Sequence, residues 1–463
     1  MTLWLIQGAF TFGLFILSSG DLTFLPIFLL VAYPALLFVQ FRTVRSWRDL
    51  FNPISLMLWM AFVRFSLPAF LVILGLISPA YIFETIGVPE QAWHLGHVLA
   101  LTGLLGVMVG WFLIPVGVCH ERRLRFDFMA GTWFPALCGM LLGFLSLLLF
   151  VGGNVGITGA ITGGEIRGAA IQEGTGKYFY FAFILSASSV LLCGYLLARK
   201  RMPRWIALSP VVATLLCYVI LGGRARAMTP VVSALLLVWY AKQEEDGRNL
   251  KFSRRIYLWV LVLGLYSIWF AHFVDLYRGG LGLAAFSQSL SASGLGAYLL
   301  QMIFWDLGHL HGLAGAIAVG GGVLKGVTFI GSLSWPFTEV LKLPGKSTGI
   351  FIVQTLLNSP NVTWGLLPSL IGDAYVNFGI LGMAIVSVLF GYLLKKLYAM
   401  FRRGSLHSVI YVLAVVYSLR IFFESIDKWG EALTVLSFAF LVIKLGETLC
   451  HIHPQGDSLA NTA

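Results

Sequence analysis

Charged residues are scarce in this chain of 463 residues, where Asp, Glu, Lys and Arg together make up 11% and hydrophobic residues 58%. A soluble domain carries about 25% charged residues. A chain this apolar does not keep its surface hydrated, so the composition excludes a soluble enzyme or binding module. It predicts an all-α, polytopic membrane protein that uses lipid as its main solvent, with length enough for about a dozen spans of roughly 20 residues.

Motifs for metal, nucleotide and nucleic-acid binding are also missing. The five cysteines form no CxxC pair, and no DxD or HExxH cluster occurs. His309 and His311 lie two positions apart, so on a helix they point to different faces and a shared metal is not expected. The Gly-rich stretch 152–176 lacks the GxxxxGK[ST] pattern and is either a mobile loop over a substrate or a plain linker. We therefore expect no metal, no cofactor and no nucleic-acid partner.

Long apolar windows are what the chain has in abundance. Because backbone polar groups cannot stay unsatisfied in hydrocarbon, each window is predicted to be a helix. The twelve predicted spans are 3–19, 22–41, 54–77, 95–118, 132–151, 178–198, 205–222, 228–241, 256–274, 374–394, 405–423 and 429–446.

Basic clusters follow spans two, four, six, eight and ten, which predicts that these loops and both termini lie on the cytoplasmic side of an inner membrane. Much of the net charge of +11 is in these loops, facing anionic lipid. The clusters lie at 42–48, 122–125, 199–204, 242–255 and 395–403.

The stretch 276–372 breaks the regular alternation of spans and loops. Its apolar runs are interrupted by Gly, Pro and polar residues, and a single extra span there would place the basic cluster 395–403 on the wrong side. We therefore predict one large periplasmic segment between spans nine and ten, within a single polytopic domain covering 1–463. Its helices either lie in the interface or form a pair of half-spans that enter and leave the same face.

Several cations lie outside the cytoplasmic loops. Arg64 is in the middle of a predicted span, where inserting a charge costs about 2.5–3.5 kcal/mol. Either its side chain reaches toward the membrane surface or forms a structural ion pair, or it faces a polar interior or a bound partner. The predicted outer face carries arginines that either form a solvated rim and ion pairs, for example with Glu424 or Asp427, or together bind an anion. The outer arginines are Arg167, Arg224, Arg226, Arg278 and Arg420. Arg224, Arg226 and Arg420 carry most weight, because they lie in very short outer loops or at span ends, where a positive charge works against insertion.

The segment Gly365–Gly382 leads from the outer segment into span ten and reads GLLPSLIGDAYVNFGILG. Asp373, Tyr375 and Asn377 stand where this helix begins. A favourable position of Asp373 near the helix N-terminus and an interfacial Tyr375 would explain these residue types on their own. They would not explain why the polar group follows a large outer segment with prolines and glycines before it.

Within this segment, Pro368–Gly379 (PSLIGDAYVNFG) resembles the P-x-x-x-G-E-x-Y-x-N-F-G signature of bacterial oligosaccharide repeat-unit polymerases of the O-antigen polymerase type (Wzy). Gly222–Arg226 (GGRAR), Asp275–Gly279 (DLYRG) and Pro344–Lys346 (PGK) are similar to further short outer motifs of that family. Asp373 stands where the family has Glu, one methylene shorter.

The resemblance implies a GT-C-like, metal-independent membrane glycosyltransferase that acts on the periplasmic face. It would use undecaprenyl-pyrophosphate-linked oligosaccharides as donor and acceptor, in lipopolysaccharide or exopolysaccharide biosynthesis, with lipid, a chain-length co-polymerase and a flippase as expected neighbours. Its candidate general bases are Asp373, Asp275, His309 and His311. Its candidate pyrophosphate or glycan ligands are Arg224, Arg226, Arg278, Arg167, Arg420, Lys346, Tyr375 and Asn377.

Two alternatives stay open from the sequence. An O-antigen ligase would use the same donor and deliver the glycan to lipid A-core, and only the PSLIGDAYVNFG stretch argues against it. A flippase or other transporter would be expected to show internal repeats and interrupted helices at matched positions in two halves. The single long outer segment after span nine shows no such symmetry.

Overall fold

The structure is a computed structural model, and every regular element that it describes is helical. It describes residues 51–76, 83–84, 86–113, 130–154, 178, 181–198, 204–220, 224–246, 296, 310–333, 347–362 and 365–452. The described part of the chain therefore confirms the all-α prediction. Contacts divide the chain into two compact units, the first made of 1–119, 296–399 and 417–430, and the second of 120–295, 400–416 and 431–463.

Among the described residues, five helices are long and apolar enough to cross a membrane, which supports a membrane-embedded protein. They are Pro53–Val72, Glu90–Leu113, Trp133–Gly153, Ser369–Arg402 and Lys428–Leu449. They correspond to predicted spans three, four, five, ten and twelve. Predicted spans one, two and nine lie outside the described residues, so the count of twelve stays a prediction.

The helices are numbered here over the described residues. Predicted span three consists of α1 (Pro53–Ala61), a π-helical turn (Phe62–Ser66) and α2 (Leu67–Ile73). The others are α3 (Glu90–Leu113), α4 (Trp133–Asn154), α5 (Ile184–Ala198), α6 (Arg204–Ala207), α7 (Ser209–Ile220), α8 (Arg224–Asp246), α9 (Leu310–Val319), α10 (Val327–Leu333), α11 (Thr348–Leu356), α12 (Ser369–Arg402), α13 (Ser408–Phe423) and α14 (Lys428–Ile452).

The described part of the predicted outer segment 276–372 contains three short helices, α9, α10 and α11. They have 10, 7 and 9 residues. At 1.5 Å per residue the longest reaches only about 15 Å, half the hydrocarbon thickness of a bilayer. None of the three is long enough to cross a bilayer alone, and their interfacial or re-entrant placement stays a prediction. The rest of the segment lies mostly outside the described residues.

Close packing of α3 against α12 organises the first unit. A Cβ atom added to Gly110 of α3 would collide with the carbonyl oxygen of Val388, and one added to Gly391 of α12 would collide with that of Val107. Glycine at both positions lets the two backbones touch, as small residues do between membrane helices. This contact places the signature segment, at the start of α12, beside the short helices of the outer segment.

Helix α12 is interrupted inside the signature. Gly379 has φ 73° and ψ −170°, a backbone conformation open essentially to glycine alone. The break leaves the carbonyls of residues 375, 376 and 377 available, and they accept the backbone N–H groups of Gly322, Leu324 and Gly326 at 3.0, 3.1 and 3.1 Å. The Gly-rich connection between α9 and α10 thus completes the hydrogen bonding that the helix itself gives up.

In the second unit, α5 is buried along most of its length and packs against α4, α7 and α8. The hydroxyl of Tyr218 on α7 donates to the carbonyl of Ala182 at 2.9 Å and accepts from Ser186 at 3.2 Å. The buried hydroxyl of Tyr218 therefore has its hydrogen-bond partners within this unit. The same unit contains the rings of Tyr411 and Phe401, which stack with 3.8 Å between their centroids.

Candidate functional site

The candidate site lies in the first unit, where the start of α12 meets the turn 424–428 between α13 and α14. Asp373, the acidic residue of the signature, is completely buried. Its Oδ2 accepts the backbone N–H of Ile426 at 2.8 Å. The hydroxyl groups of Thr348 and Ser425 interact with the same carboxylate, whereas its Oδ1 has no hydrogen-bond partner among the described residues.

Asn377, one helical turn after Asp373, ties the signature to α10. Its side-chain amide donates to the carbonyl of Asp373 at 2.8 Å and to Oγ1 of Thr328 at 2.9 Å. Thr328 in turn lies 2.9 Å from Oγ1 of Thr348, the first residue of α11. The amide of Asn377 is therefore engaged by the protein, and its proposed role as a glycan ligand stays a prediction.

Ser369 starts α12 in an unusual backbone conformation, with φ 61°. Its N–H donates to the carbonyl of Glu424 at 3.0 Å. A positive φ at a non-glycine residue is uncommon and persists only where the surroundings hold it. Two hydrogen bonds, from Ser369 to Glu424 and from Ile426 to Asp373, thus join the start of the signature to the turn 424–428.

Arg420, predicted to bind pyrophosphate, forms a buried ion pair with Glu424. Its Nε donates to Oε1 of Glu424 and its Nη2 to Oε2, both at 3.0 Å. Burial alone would raise the pKa of Glu424, but the positive charges of Arg420, Lys428 and Arg64 together lower it to about 2. The ion-pair alternative, which the sequence left open, is the arrangement observed.

Arg64 finds its partners in the same cluster. It lies in the π-helical turn, with its guanidinium carbon 5.6 Å from the centre of the Phe423 ring, and it interacts electrostatically with Glu424. Single π-turns inside helices are frequent at functional sites. The mid-span cation that the sequence singled out therefore faces an aromatic ring and a buried carboxylate.

Asp427 is the half-buried carboxylate of the site. Its Oδ1 accepts the hydroxyl of Ser332, at the end of α10, at 2.8 Å, and its N–H donates to Oγ of Ser425 at 3.2 Å. Its charge interacts with that of Asp373. Ser332, Thr328, Thr348 and Ser425 were not predicted as site residues, although the charged sequence ESIDK at 424–428 is a signal for this turn.

His311 lies in a separate aromatic group. It is buried at the start of α9, with its ring centre 5.4 Å from that of Trp93 on α3. Trp93 also makes an edge contact with His97 at 5.6 Å. The role of His311 as a general base stays a prediction.

The remaining predicted residues are spread differently. Tyr375 packs against the Gly-rich connection at Gly321. Arg224 and Arg226 begin α8 in the second unit, where only their backbone is described. The others lie outside the described residues: Asp275, His309, Arg167, Arg278 and Lys346.

Comparisons with known proteins give no relative. No family model matches the chain, and neither a curated protein nor a solved structure is significantly similar to it.

Proposed function

We propose that this protein polymerises undecaprenyl-pyrophosphate-linked oligosaccharide repeat units at the periplasmic face of a bacterial inner membrane. The growing glycan would pass from its lipid carrier to the non-reducing end of a new lipid-linked unit. The observation that supports this most is the folding of the signature segment 368–379. It forms a buried polar cluster with two other segments predicted on the outer face, the turn 424–428 and helices α10 and α11.

The chemistry of such a transfer needs a carboxylate near the acceptor. The acceptor hydroxyl oxygen forms a bond to the anomeric carbon of the donor glycan, and the bond between that carbon and the pyrophosphate oxygen breaks. The hydroxyl proton goes to a general base, and lipid pyrophosphate leaves with the electron pair. Asp373 and Asp427 are the carboxylates of the cluster proposed to activate the acceptor or to position the group that does so.

The leaving pyrophosphate needs cations, because negative charge develops on it as the bond breaks. Arg420 is neutralised by Glu424, which leaves Arg224, Arg226, Arg278 and Arg167 as the arginines proposed for this role. Guanidinium groups suit it because each can bind two phosphate oxygens at once. Among these we assign the main clamp to Arg224 and Arg278.

Location and topology follow from the same proposal. The basic clusters after even-numbered spans favour cytoplasmic termini and put the start of span ten and the turn between spans eleven and twelve on the outer face. Hydrogen bonds between these two places agree with a common face. The undecaprenyl tail would lie against lipid-facing helix surfaces such as the exposed side of α12 near Leu381 and Ile385.

Deleting the gene in its host and examining surface lipopolysaccharide on a gel tests the function. Loss of the long ladder, with a single repeat unit left on the core, supports the polymerase. A bare core with polymer on the lipid carrier would identify a ligase, and a bare core with unpolymerised units retained inside the cell would identify a flippase. Re-expression of Arg224→Ala should fail to restore the ladder, and full restoration would overturn the clamp.

A further inference from the structure

Asp373 and Asp427, the two carboxylates of the site that are not paired with Arg420, differ in access. The side chain of Asp373 is 0% exposed, so no acceptor reaches it in this structure, whereas Asp427 is half-buried and borders the surface. Asp427 directly follows Ile426, the residue whose backbone N–H Asp373 accepts. The fold therefore presents one carboxylate and uses the other to hold the backbone beside it.

Asp427 is held in a defined orientation. Ser332 donates to its Oδ1 at 2.8 Å, and its backbone N–H is fixed by Oγ of Ser425 at 3.2 Å. No hydrogen bond to its Oδ2 occurs within the described ranges. A carboxylate with one oxygen anchored and the other available has the arrangement expected of a group that accepts a proton from a hydroxyl.

We propose that Asp427 is the general base that meets the acceptor hydroxyl, and that Asp373 is a positioning residue that holds the turn 424–428. This inference rests on the proposed polymerase function. Oδ2 of Asp427 takes the proton as the acceptor oxygen bonds to the anomeric carbon and the bond from that carbon to pyrophosphate breaks. The resulting carboxylic acid then returns its proton to water.

The role of Asp427 is tested by measuring polymerisation by the purified protein in lipid nanodiscs. The substrate is undecaprenyl-pyrophosphate-linked repeat units prepared from a host that lacks the polymerase. Asp427→Asn should lower kcat by about 10²–10⁴-fold, the range for loss of a general base, with little change in KM. Added formate should restore part of the activity of Asp427→Ala, because a small carboxylate can occupy the vacated place. Glu447→Gln, in an exposed ion pair with Lys444 late in α14, is the control and should match wild type.

Asp373 is tested by comparing two substitutions. In Asp373→Asn the amide oxygen can still accept the Ile426 N–H, whereas Asp373→Ala leaves that N–H without its acceptor. A positioning role predicts that the Asn variant keeps most of the activity, that the Ala variant loses it, and that formate does not rescue the Ala variant. An Asn variant as inactive as Asp427→Asn would make Asp373 the base and overturn the assignment.

The outcomes separate the inference from the function on which it rests. A wild-type protein that folds and leaves the lipid-linked units unpolymerised overturns the polymerase proposal and this inference with it. A wild type that polymerises, together with an Asp427→Asn variant of similar kcat, overturns only the inference. Thermal unfolding of every variant is measured in the same nanodiscs, so a loss of activity without a loss of fold is identified directly.

Discussion

The guanidinium of Arg420 and the carboxylate of Glu424 face each other across one turn at the end of α13, joined by two parallel hydrogen bonds of 3.0 Å. Both side chains are less than a tenth exposed. Lys428 and Arg64 add positive charge around Glu424. The pair thus anchors the turn that carries Ser425, Ile426 and Asp427.

Removing one partner of this pair should destabilise the protein strongly. Arg420→Ala leaves a buried carboxylate short of its main counter-charge, and breaking such a pair costs about 3–5 kcal/mol. Thermal or denaturant unfolding in detergent measures the loss. Lys444→Ala is the matched control, since the exposed pair Lys444–Glu447 is expected to contribute only about 0–1 kcal/mol. Equal effects of the two substitutions would contradict the role given to the buried pair.

The stability should also depend on acid in a defined range. Glu424 has its pKa lowered from its ordinary value of 4.5 to about 2, so the folded state binds fewer protons than the unfolded state between these values. Its contribution is therefore complete above pH 4.5 and is lost as the pH falls toward 2. Melting temperatures of wild type and Glu424→Gln, measured from pH 6 downward, should converge below pH 4.5. If the melting temperatures of the two proteins fall in parallel with pH, a group other than Glu424 causes the loss of stability in acid.

Gly379→Ala should weaken the break in α12. The conformation at this residue, with φ 73° and ψ −170°, costs a residue with a Cβ about 1–3 kcal/mol. We expect a lower melting temperature and a shorter polysaccharide ladder. Gly152→Ala is the control, because a Cβ there meets nothing within 4 Å and alanine is the better helix former. A Gly379→Ala variant as stable as wild type would mean that the break is not required.

Gly391→Ala should push α12 away from α3. Its added Cβ would meet the backbone around Val107, which cannot move aside as a flexible side chain can. Overpacking of this kind costs about 1–3 kcal/mol. Unfolding in detergent, again compared with Gly152→Ala, measures the effect. A neutral result would show that the two helices have room to separate.

Hydropathy predicted the existence of the helices well and their ends less well. Predicted span 374–394 is part of α12, Ser369–Arg402, and α3 begins at Glu90, five residues before the start of predicted span 95–118. The earlier start arises because Glu90, Gln91 and His94 are polar, so a window of apolar residues begins after them. A helix that packs against protein tolerates such residues where lipid would not.

The centre of the candidate site could not be predicted from the sequence in full. The signature indicated Asp373, but nothing local to it indicates that its partner is the N–H of Ile426, 53 residues away. The break at Gly379 was also hidden, because hydropathy is indifferent to backbone dihedral angles. The sequence predicts that Arg64 is a charge within a membrane span. It does not predict that Arg64 lies beside Phe423 and Glu424, because this contact depends on the packing of distant segments.

Residues 320–326 form hydrogen bonds to α12 through their backbone N–H groups and not through their side chains. Alternate N–H groups, at 322, 324 and 326, reach the carbonyls at 375–377, while the side chains of Val323 and Lys325 are exposed. Substitutions at these two exposed positions change no hydrogen bond to α12. Insertion or deletion of a single residue shifts the register of every donor. The connection should therefore stay fixed in length and keep Gly320, Gly322 and Gly326, whose φ values of 102°, 75° and 84° favour glycine, while position 323 varies.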